Sequence, residues 1–213
     1  PSRYSARTLV RPGEEAPALS NLGSTWVFSV QCARTDSGQT VLVGVDRRQG
    51  VIVASPAAPT CTFACKDARS VALSRSGRAF AMTTGQHGGV MHIVGVGIAA
   101  GADGGHAHTL QADTLCTHAV SCGAEHRTAF ALSDDCRTVA LGHGGRSGHV
   151  HVLRLRADLR AVEADDVHDL PAGMTGPWAG ACVPGGQLAL AGCAQGAVAV
   201  NLPTGETLTV ARW

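Results

Sequence analysis

A chain of 213 residues with 45% hydrophobic residues and 27 glycines can bury one sizeable core, which excludes a disordered polypeptide. Its formal net charge of +1 argues against a dedicated nucleic-acid surface, so sequence-specific binding to nucleic acid is not expected. No apolar run reaches the roughly 18 residues of a membrane-spanning helix.

Residues 1–25 precede the first patterned unit. Arg3, Arg7 and Arg11 stand four apart, with no acid before Glu14, as in the remnant of a transit peptide. The same segment reads equally as an N-terminal arm, or as a strand, Thr8-Leu9-Val10, that closes a sheet.

Residues 26–68 form a first unit. An apolar run at 27–30 is followed by Gly38, Gly44 and Gly50, which enclose Thr40-Val41-Leu42-Val43 and lead into Val51-Ile52-Val53. Runs this short between glycines suit buried strands joined by tight turns. Pro56-Ala57-Ala58-Pro59 is expected to be a rigid connection.

Residues 69–126 repeat the frame, with Gly77, Thr83 and Gly89 around Ala79-Phe80-Ala81-Met82 and then a run at 90–94. The glycine-rich stretch from Gly95 to Gly105 reads as a flexible loop. Beyond it, His106, His108, Cys116, His118, Cys122 and His126 have side chains that zinc prefers. No Cys-x-x-Cys pair accompanies them, and Cys61 with Cys65 is the nearest approach, so no metal is expected.

Residues 127–177 carry the third copy, with Cys136, Gly142 and Gly148 in the glycine positions and a strand at 138–141. His149 and His151 alternate along the next strand and share one face. Counted from the same turn, His92 occupies the place of His151. Asp165 and Asp166, near Arg154, Arg156 and Arg160, read as a solvated rim.

Residues 178–213 hold the fourth copy, with Gly186 and Gly192 around a strand at 188–191, then Gly196 and a run at 197–200. Leu208-Thr209-Val210 is the C-terminal segment able to pair with Thr8-Leu9-Val10 and close the set. Positive φ is expected at Gly142 and Gly192, as second-to-third-strand turns would require.

Three stretches now resemble a known family. Leu73-Ser74-Arg75-Ser76-Gly77-Arg78-Ala79-Phe80-Ala81, residues 132–142 and residues 192–208 look like the turns and strands of WD-repeat blades. First-turn positions lie 39, 59 and 50 residues apart (38 to 77, 77 to 136, 136 to 186), near or above the roughly 40–45 of that family. The chain lacks the Trp-Asp and Gly-His pairs of typical members, so the resemblance is to a degenerate form. It implies an all-β fold: a β-propeller of about four blades at 26–68, 69–126, 127–177 and 178–213, open or part of a larger propeller.

Motif inspection finds no nucleophile elbow, phosphate loop or metalloprotease helix. The expectation is therefore a non-enzymatic interaction scaffold, a subunit bound to other proteins in a multisubunit complex. No catalytic, cofactor-binding or metal residue is assigned. The alternative is a ligand-binding or enzymatic propeller in which His92 and His151 line a central channel. Of eight cysteines, Cys32, Cys136, Cys182 and Cys193 fall in or beside strands. Reduced thiols point to an intracellular compartment, the cytoplasm ahead of the mitochondrion.

Overall fold

A computed structural model describes residues 27–213, apart from 36–37, 47–49, 56–57, 64–67, 69, 85–88, 101–107, 121–125, 145–147, 177–178 and 183–186. The N-terminal arm, Thr8-Leu9-Val10, Trp26, Trp178, His106 and Cys122 lie outside the described residues.

One local rule builds the first three units. Thr35, Ser74 and Ser133 each open a tight turn whose carbonyl accepts from the amide three residues on, at 2.8, 2.9 and 2.9 Å. The residue that donates has positive φ: Gly38 at 79°, Gly77 at 68° and Cys136 at 63°. A first turn followed by a left-handed residue is a hairpin connection, and glycine enters it without a Cβ clash. The third copy uses cysteine instead. Its turn is reinforced by Ser133 Oγ, which donates to Asp135 Oδ1 at 2.6 Å and accepts from the Thr138 amide at 2.9 Å. Because a branched side chain tolerates this φ poorly, Cys136→Val should lose about 2–3 kcal/mol in denaturant melts. Cys136→Gly relieves strain while losing a small buried thiol, and should stay within about 1 kcal/mol of the parent.

The strands follow as four antiparallel meanders of four strands each. The first sheet holds β1 (Val27–Arg34), β2 (Thr40–Asp46), β3 (Gly50–Ser55) and β4 (Ala58–Phe63). The second holds β5 (Ser70–Leu73), β6 (Ala79–Thr84), β7 (Val90–Ala100) and β8 (His108–Ala119). The third holds β9 (His126–Leu132), β10 (Thr138–Gly144), β11 (His149–Leu155) and β12 (Val162–Asp169). The fourth holds β13 (Ala179–Cys182), β14 (Leu188–Cys193), β15 (Gly196–Asn201) and β16 (Thr207–Arg212). The expected runs at 40–43, 79–82, 138–141 and 188–191 are thus the second strand of each sheet.

Three expectations are corrected. Gly142 and Gly192 do not have positive φ; they lie inside β10 and β14, paired with Val150 and Ala197. Those strands run past the glycines, and in the fourth sheet the left-handed turn residue is Gly196 at φ 156°. The stretch from Gly95 is no loop as far as Ala100, because Val94, Val96 and Ile98 alternate with glycines and continue β7 against β8. The Pro59 connection is likewise shorter than expected, since Ala58 and Pro59 already belong to the edge strand β4, where proline is tolerated.

The second and third sheets use both faces. Val41, Val43 and Val53 of the first pack on Phe80, Met82 and Val94 of the second. Ala81, Met91 and Ile93, on the opposite face of the second, pack on Val139, Leu141 and Leu153 of the third. Phe130, Ala140 and Val152 then meet Ala189, Ala191 and Val200 of the fourth. Each large aliphatic side chain buried this way stabilises by about 1.5–3 kcal/mol. Three cores join four sheets in a row. Among the described residues no fourth core joins the last sheet to the first.

Candidate functional site

Polar chemistry gathers where the outer strands of the second and third sheets approach. β11 and β12 pair with Leu153 opposite Asp165, which sets the Asp165 carboxylate on the same face as His151. His151, 3% exposed, donates from Nδ1 to Asp165 Oδ1 at 2.8 Å. From the neighbouring sheet, His118 on β8 brings Nε2 to 3.6 Å from Asp165 Oδ2. One carboxylate therefore holds two imidazoles from two sheets. Asp165→Ala should cost about 1–2 kcal/mol, because an almost buried imidazole loses its charged acceptor; chemical denaturation against wild type measures it.

His92 is held differently. Its Nε2 lies 2.8 Å from Thr84 Oγ1 and its Nδ1 3.2 Å from Thr117 Oγ1. Burial lowers its pKa, since desolvation disfavours the imidazolium. His92 and His151 do occupy matching positions, each on the third strand of its sheet. They do not share one wall and do not line a channel. Consecutive sheets touch through their first strands, β1 with β5, β5 with β9 and β9 with β13, so these are the inner strands. His92, opposite Met82, faces the layer between the first and second sheets, whereas His151 faces the next layer.

The remaining charges are rim pairs. Arg154 binds Asp166 and reaches the Pro203 carbonyl at 3.3 Å, and exposed His149 lies 2.7 Å from Asp169. Exposed pairs of this kind contribute little. Asp165 alone departs from the expected solvated rim, and sequence reading missed its pairing with His118 because 47 positions separate them. Among the described residues no group of three or more His, Cys, Asp or Glu side chains is placed to hold a metal. Cys116 sits in the core between the second and third sheets, and burial raises its thiol pKa. Cys182 is pushed up to about 12, chiefly by desolvation, and such thiols are inert.

One face of the fourth sheet carries exposed apolar side chains. β14 turns Ala189 and Ala191 to the third sheet and Leu188 and Leu190 the other way, 36% and 43% exposed. Register sets Leu190 opposite Ala199 and Ala199 opposite Leu208. Leu208 is 69% and Val210 56% exposed. β16 pairs with β15 and is the outer strand of its sheet.

No family model matches the chain, and no curated protein matches it either. Solved structures do. The β-propeller domain of Cps50 (Swd1) from Myceliophteria thermophila is 12% identical, with a TM-score of 0.53, over 90% of this chain and 55% of that one. The fold is a β-propeller. PpgL, the periplasmic gluconolactonase of Pseudomonas aeruginosa, is 19% identical, with a TM-score of 0.55, over 88% of this chain and 53% of its own. A Bacteroides uniformis protein described as a candidate 6-phosphogluconolactonase is 12% identical, with a TM-score of 0.57, over 92% and 57%. The four blades thus span about half the length of these propellers. At such identities the likeness carries the fold alone. It also overturns the expectation of a non-enzyme, because a gluconolactonase shares the fold over most of this chain. Propellers serve binding and catalysis alike, and repetition without a familiar motif does not exclude either. Among the described residues no helix is long and apolar enough to cross a membrane.

Proposed function

We propose that this chain is a WD-like interaction propeller that works inside a multisubunit protein assembly, docking through the free face of its fourth blade. The observation that carries this reading is the uncovered row of Leu188, Leu190, Leu208 and Val210. On the first three blades, the corresponding face is covered by the next blade. A contiguous apolar sheet face left in water marks an interaction site. With charged residues at only 15% of the chain, little surrounding charge offsets that exposure. Among the described residues five cysteines are free and three of those are buried, which supports a reducing, intracellular compartment.

Light scattering on the purified chain tests the reading. Wild type should associate at micromolar concentration, whereas Leu190→Lys with Leu208→Lys should run as a single chain with unchanged circular dichroism. A wild type that stays a single chain, and is unaffected by the two lysines, would overturn it.

A further inference from the structure

We infer that the partner on the fourth blade's free face is a second copy of this chain, so that two four-bladed chains close one eight-bladed ring. The inference rests on reading that face as a docking surface, and it adds the identity of the occupant. Three observations carry it.

The first is length. Four blades span between 53% and 57% of the solved propellers matched above. Propeller rings hold up to about eight blades, so two copies of four blades fit within one ring.

The second is continuity. Every junction inside the chain sets a forward-facing apolar row against a backward-facing one. The fourth blade ends with a forward row, Leu188 and Leu190, and the first blade begins with a backward row unmatched along β1, where Val30 is 51% exposed and Cys32 is exposed. Ile52 and Ala54, further out on that face, are already buried, so the open strip follows β1.

The third is symmetry. A head-to-tail contact builds filaments unless its rotation closes, and two half-rings close after one partner with a two-fold axis along the ring axis. Both junctions are then satisfied, with no edge left to recruit further copies.

Cross-linking tests it with a native thiol. At the first two junctions the first strand of a blade packs on the first two strands of the blade before, β5 on β1 and β2 and β9 on β5 and β6, and at the third β13 packs on β9. By the same rule β1 of a second copy lies over β13 and β14, bringing its Cys32 toward Leu190. The full chain carrying Leu190→Cys, mildly oxidised, should give a dimer linked from Cys32 of one copy to position 190 of the other. Adding Cys32→Ser should abolish that link. Unmodified chain should scatter at twice its 21.7 kDa mass. Association into another size, or a link that survives Cys32→Ser, overturns the second-copy inference and leaves the docking reading standing. A single chain at every concentration overturns both.

Discussion

Gly196→Ala should lower stability by about 3–4 kcal/mol. Gly196 opens β15 at φ 156°, in a hairpin where Cys193 is its partner on one side and Arg212 on the other. A Cβ placed there runs into the Ala211 carbonyl oxygen, with the Met174 methyl only 2.9 Å away. The methionine end can swing aside, but the carbonyl belongs to the paired strand and moves only if β16 does. Gly97→Ala is the matched control. Its Cβ meets nothing within 4 Å. Within a strand, alanine holds less unfolded-state freedom than glycine, so this change should be neutral or stabilise by up to about 1 kcal/mol. Equal losses at the two positions in urea melts would contradict the packing of β15 on β16.

Phe130→Ala should cost about 3–5 kcal/mol and change how the protein unfolds. Phe130 is 1% exposed, and its ring lies so close over Gly180 that a Cβ there would stand 2.7 Å from it. Among the described residues it is the largest buried side chain between the third and fourth blades. Blades touch only their neighbours, so stability is nearly a sum of blade and junction terms. The fourth blade has just one junction, and weakening it should let β13–β16 unfold before the rest. Phe80→Ala removes a similar volume between the first and second blades and should instead release the first blade, which likewise has one junction among the described residues. Hydrogen exchange should therefore rise selectively in β13–β16 for Phe130→Ala. A uniform rise across all four blades would argue against that modularity.

The sequence made the repeat visible for a physical reason. Gly38 and Gly77 mark turns that need positive φ, and the apolar runs after them have no room to be helices. Second strands were legible from this alone. Gly142 and Gly192 misled because a glycine within a strand and one in a turn look alike in sequence, and only pairing separates them. Val96 and Ile98 were overlooked among glycines, although their alternation is the strand signal. The histidine positions were matched correctly between repeats but set at the wrong radius, because spacing fixes register along a strand and not which strand is innermost. The His118–Asp165 contact joins two blades, and no local pattern encodes it. The free face of the fourth blade is half legible: Leu208-Thr209-Val210 does form a strand, within β16, while its expected partner Thr8-Leu9-Val10 lies outside the described residues.

Hydroxyl-radical footprinting with residue-level mass spectrometry tests the central claim most directly, that the free face of the fourth blade is a docking surface. In dilute protein, Leu190, Leu208 and Val210 should take up label readily, while buried Val198 and Leu153 stay unlabelled. On raising the concentration until the chain associates, uptake at those three positions should fall several-fold, with exposed Val167 on the third blade unchanged. Uptake at Leu190, Leu208 and Val210 that stays constant through association would contradict the account.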